Sequence, residues 1–163
     1  GMGNVVLEVS ATPYLYSLRF YDWLRRDADG AQRPVHVSHA FRNLNPERRG
    51  NAVREDLVQQ ARSIDSGEGW TLELIGRLPE MFFDVQRLVL EARATAPQDT
   101  AGRFHVLNLV EGEAVTIRTR SAAGGWSEHP LSYAETVVIP AAVGEYEVAS
   151  GRTAVRLVRA VVR

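Results

Sequence analysis

The side chains best suited to bind a metal or move a proton are four histidines, His36, His39, His105 and His129. His36 and His39 are three residues apart, a spacing that serves metal ligation on one helix face. His36, however, follows Pro34 in extended chain and precedes Ser38, the expected helix cap, so the two rings are expected to diverge. His105 shares its strand face with Leu107 and Leu109 and reads as a packed histidine. His129, between Glu128 and Pro130, reads as solvated near a turn. Arg19-Phe-Tyr-Asp-Trp-Leu-Arg25 is the most informative stretch. As a strand it places Arg19, Tyr21 and Trp23 on one face, where an arginine among aromatics could hold a phosphate or another anion. The alternative is a purely structural contact of Arg19 with Asp22 or with a ring.

Other chemistries are excluded by residue type. The chain has no cysteine, so thiolate zinc sites, disulfides and cysteine nucleophiles are ruled out. All 19 basic residues are arginine, and without lysine there can be no Schiff base. No G-x-S-x-G elbow, Walker loop or dinucleotide fingerprint is present. Glu111 and Glu113 flank a turn and read as solvated surface. With 163 residues, 45% hydrophobic and 24% charged, the chain is of ordinary globular composition. A net charge of -1 argues against nucleic acid as a partner. No apolar run reaches the ~20 residues of a membrane helix, and no secretory leader is visible, so the expected location is cytoplasmic. Gly1 ahead of Met2 reads as a residue left by tag removal.

These residues must be positioned by a chain that is mostly strand and turn. Strands are expected over Asn4 to Ser10 and from Tyr14 to about Arg25, followed by a turn at Asp29-Gly30. A short helix, His39 to Leu44, is expected after Ser38, then a polar connector with at most one helical turn. Further strands are expected at Trp70–Ile75, Phe82–Ala92, Arg103–Val110, Ala114–Thr119, Thr136–Ile139, Tyr146–Val148 and Ala154–Val162. Turns fall at Glu111-Gly112, Ala123-Gly124-Gly125, Pro130, Pro140 and Gly151. The fold class is all-β, an antiparallel β-sandwich or small barrel with one short helix.

Several segments in order resemble the second half of the class I mannose-6-phosphate isomerases. They are Glu8 in its strand, Arg19-Phe-Tyr-Asp-Trp23, Arg33-Pro-Val-His-Val37 with the helix after it, Phe104-His-Val-Leu-Asn-Leu-Val-Glu-Gly112 and Tyr133-Ala-Glu-Thr-Val-Val-Ile-Pro-Ala141. Ala134 stands where that family more often has glycine. The resemblance implies a cupin-like sandwich divided into the tail of a first cupin-like barrel plus helix (1–46), a connector (47–69) and a degenerate C-terminal cupin-like domain (70–163). It implies interconversion of mannose 6-phosphate and fructose 6-phosphate through an enediol, with zinc assisting. Arg19 would be the catalytic arginine, and Glu8 and Tyr21 would bind substrate. The family's zinc ligands lie upstream of the glutamate strand, where this chain begins, and no metal ligand can be nominated in it. The chain is therefore expected to lack the zinc site and to be inactive alone. Its expected partners are a sugar phosphate and either a second copy or a separate zinc-bearing N-terminal half. The alternatives are a non-catalytic sugar-phosphate-binding or interaction module, and a free-standing metal cupin using His36, His39 or His105.

Overall fold

The computed structural model describes residues 3, 6–10, 18–121 and 124–163. Gly1 and Met2, the start of the aromatic segment (14–17) and Ala123 of the glycine turn lie outside the described residues. The chain divides into two compact units, Gly1–Asp56 and Leu57–Arg163.

The first unit holds two short helices, α1 (Val37–Asn43) and α2 (Asn51–Asp56). Helix α1 starts earlier than expected, with His36 rather than Ser38 at its N-cap. Helix α2 falls where one helical turn was expected in the connector. The two N-terminal strands are not found among the described residues: 6–10 and 18–25 form no regular strand. The reason is local. The Asp22 carboxylate accepts the Arg25 backbone N–H at 3.1 Å, and Leu24 takes a left-handed φ of 59°, so the chain turns away from an extended path. The expected turn does form, with Asp27 accepting the Gly30 N–H and one bridge joining Arg26 to Gln32.

In the second unit ten strands follow in sequence. They are β1 (Arg62–Gly67), β2 (Trp70–Gly76), β3 (Phe83–Leu90), β4 (Thr95–Asp99), β5 (His105–Glu111), β6 (Ala114–Arg120), β7 (Trp126–Ser132), β8 (Thr136–Ile139), β9 (Glu145–Ser150) and β10 (Val155–Val162). The antiparallel pairs β6 with β7, β5 with β8, β4 with β9 and β3 with β10 are nested. The chain thus doubles back between β6 and β7 and rolls up as one long hairpin. Pairing of β10 with β5 and of β9 with β6 completes two sheets, ordered β1-β2-β3-β10-β5-β8 and β4-β9-β6-β7. This is a double Greek-key sandwich whose sheets keep separate edges, so it is not a closed barrel.

Alternation drives the assembly. In β5, His105, Leu107 and Leu109 are buried while the residues between them are partly exposed. Leu88, Leu90, Leu107, Leu109, Val148 and Leu157 are fully buried and fill the space between the sheets. Three strands were missed in sequence. β4 contains Pro97 and β7 contains Pro130, which had been read as a turn; both are the edges of the four-stranded sheet, where proline is tolerated. β1, inside the expected connector, is exposed along its whole length and shows no apolar face to read.

Gly112 closes the β5–β6 turn at φ 98°, and a Cβ there would lie 2.6 Å from Val155 Cγ1. Gly144 has a similar φ of 65° but open space around it. Gly112→Ala should therefore cost on the order of 1–3 kcal/mol, lowering the melting temperature more than Gly144→Ala. Equal losses in thermal unfolding would contradict the packing constraint.

Candidate functional site

The inner face of the sandwich is apolar over most of its length and polar at one end. There Gln86 of β3, Gln98 of β4, His105 of β5, Tyr146 of β9 and Arg159 of β10 converge, all buried. The alternation that turns Leu88 and Leu157 inward also turns Gln86 and Arg159 inward, two residues along each strand. Arg159 donates from Nε and Nη2 to Gln86 Oε1, at 2.8 and 2.6 Å, and from Nη1 to Gln98 Oε1 at 2.5 Å. It therefore ties its own sheet to the facing one. Among the described residues no carboxylate forms an ion pair with it.

The Tyr146 hydroxyl and His105 Nδ1 lie 2.8 Å apart and share a hydrogen bond beside Arg159. Burial, with the Arg159 charge adding to it, pushes His105 down from 6.5 to about 4. Burial pushes the Tyr146 phenol up. The cluster thus carries one positive charge at neutral pH, on Arg159 alone.

A cleft of about 540 Å³ reaches this cluster, with Gln98, Tyr146 and Arg159 among its lining residues. Asp65, Asp99, Arg120, Trp126 and Glu145 also line it. A few convergent polar groups in a cleft of this size are the usual make-up of a small-molecule site.

Of the residues singled out in sequence, His105 belongs to this cluster, and Glu8, Arg19, Tyr21, His36 and His39 belong to the Gly1–Asp56 unit. Glu8 is exposed in irregular chain. Tyr21 is exposed and packs edge-on against Trp23, with 5.2 Å between ring centroids. Arg19 Nε lies 3.9 Å from Asp22 Oδ2, and Arg33 binds the same carboxylate through Nε at 2.8 Å and Nη2 at 2.6 Å. Desolvation opposes ionisation of Asp22, but the Arg33 hydrogen bond, the Arg25 N–H and the two arginine charges hold its carboxyl below the usual range. Arg19 and Asp22 thus meet, although strand alternation would have put them on opposite faces. The Arg19 carbonyl accepts from the His36 backbone N–H at 2.7 Å, and His36 Nδ1 accepts the Arg19 N–H at 3.4 Å. His39 and His129 are exposed. None of these residues is among those that line the cleft. Sequence reasoning missed Arg159, Gln86, Gln98 and Tyr146. A signal for Arg159 was there, because it shares strand parity with Val155, Leu157 and Val161.

No protein-family model and no curated protein sequence matches the chain. Solved structures do resemble it. Lactobacillus farciminis oxalate decarboxylase matches at 9% identity and a TM-score of 0.53, over 64% of this chain and 30% of that one. A sugar phosphate isomerase from a cupin superfamily of Silicibacter pomeroyi matches at 16% identity and 0.48, over 64% and 71%. The Schizosaccharomyces pombe Cnp3 cupin domain matches at 12% and 0.48, over 61% and 64%. At these identities the likeness concerns the fold. That fold is the two-sheet antiparallel sandwich. The sequence resemblance implies zinc. Among the described residues, no three His, Cys, Asp or Glu side chains are grouped to hold a metal, and the one histidine of the interior cluster adjoins a guanidinium that would repel a cation.

Because His105 is neutral when folded, the unfolded chain binds the extra proton between its ordinary value of 6.5 and about 4. Its contribution to stability is complete above pH 6.5 and is lost as the pH falls towards 4. Urea midpoints measured across this range should fall for the wild type and fall less for His105→Asn. Parallel curves would show that His105 is not the titrating group.

Proposed function

We propose that the Leu57–Arg163 unit is a non-catalytic receptor for a small anion, and that its ligand belongs to the sugar-phosphate class to which the sequence resemblance points. The observation that carries this reading is Arg159: a buried, permanently charged guanidinium held by neutral amides and a neutral ring at the base of a cleft. An unpaired buried charge is costly, and a phosphate or carboxylate entering the cleft would supply the missing counter-charge. Arginine's planar fork suits such an oxyanion. Isomerisation of the mannose-6-phosphate isomerase kind would need metal ligands beyond those grouped here, because among the described residues no three His, Cys, Asp or Glu side chains come together.

Arg19 is the second candidate, favoured by its position with Arg33 at Asp22, two arginines around one carboxylate. Calorimetric titration separates the two. Mannose 6-phosphate and inorganic phosphate should bind the wild type, and mannose should not. Arg159→Met, with its fold verified by near-ultraviolet circular dichroism, should weaken phosphate binding more than tenfold, whereas Arg19→Ala should leave it unchanged. The reverse pattern would move the site to Arg19, and no binding by the wild type would refute the receptor reading. The chain alone, with or without added zinc, should show no turnover of mannose 6-phosphate to fructose 6-phosphate in a coupled assay.

A further inference from the structure

The cleft that reaches Arg159 is strongly asymmetric in charge. Its buried base is cationic, while Asp65, Asp99 and Glu145 line it closer to solvent. Among the described residues no cation forms an ion pair with any of these three carboxylates. The nearby arginines are engaged otherwise. Arg118 binds Glu128 at 2.9 Å and Glu147 at 3.9 Å, and the Arg120 guanidinium lies over the Trp126 ring at 4.8 Å.

Resting on the anion-receptor reading of Arg159, we propose that the cleft selects ligands charged at one end only, with the anionic group inward on Arg159 and a polyhydroxylated body outward among Asp65, Asp99 and Glu145. Carboxylates accept hydrogen bonds and donate none, so hydroxyl groups are natural partners for them. A second phosphate at the outer end would meet Asp65, Asp99, Glu145 and Glu147 against the single rim cation Arg120, and that net repulsion discriminates between ligands as effectively as a new contact. Trp126, 44% exposed, adds a flat apolar surface for the carbon skeleton. The cleft, at about 540 Å³, lies within the range of sites that take drug-sized or monosaccharide-sized molecules. The ligand class is therefore a sugar or polyol monophosphate, and bisphosphates are excluded by the acidic rim.

The test compares mannose 6-phosphate with mannose 1,6-bisphosphate by calorimetric titration at constant ionic strength. The wild type should bind the monophosphate at least tenfold more tightly, and Asp99→Asn/Glu145→Gln should erase that preference. Glu91→Gln/Glu113→Gln, which removes the same charge from residues of the same unit that do not line the cleft, should retain it. Equal or tighter binding of the bisphosphate by the wild type would overturn the proposal, as would a preference that survives neutralisation of the rim. If Arg159→Met still loses phosphate binding in either of those cases, the receptor reading stands and only the orientation falls. If no phosphate compound binds the wild type, both fall together.

Discussion

The hydrogen bonds from Arg159 to Gln86 in its own sheet and to Gln98 in the facing sheet are the constraint on which the polar end of the sandwich depends. Two β-sheets ordinarily meet through apolar side chains alone, and here they do so from Trp70 to Leu157. At one end that rule is broken by a charge that cannot be titrated away. Each neighbouring feature follows from it. Two glutamine carbonyls are turned towards the guanidinium, and His105, kept neutral by burial first and by the Arg159 charge second, lies in the same cluster.

Topology explains why these groups meet. His105 and Tyr146 lie at the starts of β5 and β9, whereas Gln98 lies near the end of β4 and Arg159 past the middle of β10. Nested antiparallel pairing puts strand starts beside strand ends, so residues 41, 61 and 73 positions apart become neighbours. The same pairing buries the leucines of β3, β5 and β10 behind them, giving the cluster a rigid apolar floor.

Legibility in the sequence followed the same physics. Strands with one buried face, such as Thr136–Ile139 and Trp70–Gly76, showed themselves through apolar content and bounding turns. The edge strands with Pro97 and Pro130, and the fully exposed Arg62–Gly67, carried no such face and were missed. His105 was read correctly from the parity it shares with Leu107 and Leu109. Arg159 could have been found by the same parity with Leu157, but one arginine among nineteen draws no notice until the opposite sheet is in place. The segments around Arg19 and Arg33 do become neighbours, joined through Asp22, so their pairing was legible even though their strand geometry was not.

A guanidinium differs from every other group in the cluster in having no route out of its burial cost. His105 meets the same low-dielectric surroundings by shedding its proton, and Tyr146 by keeping its own. Arg159 can do neither, so its charge must be answered by dipoles or by a counter-ion. Two amide oxygens supply dipoles but no net charge, and the buried cluster keeps one positive charge in excess. A metal ion entering there would add to the imbalance, whereas a single anionic group would cancel it. The charge of the site therefore constrains its occupant more tightly than its shape does.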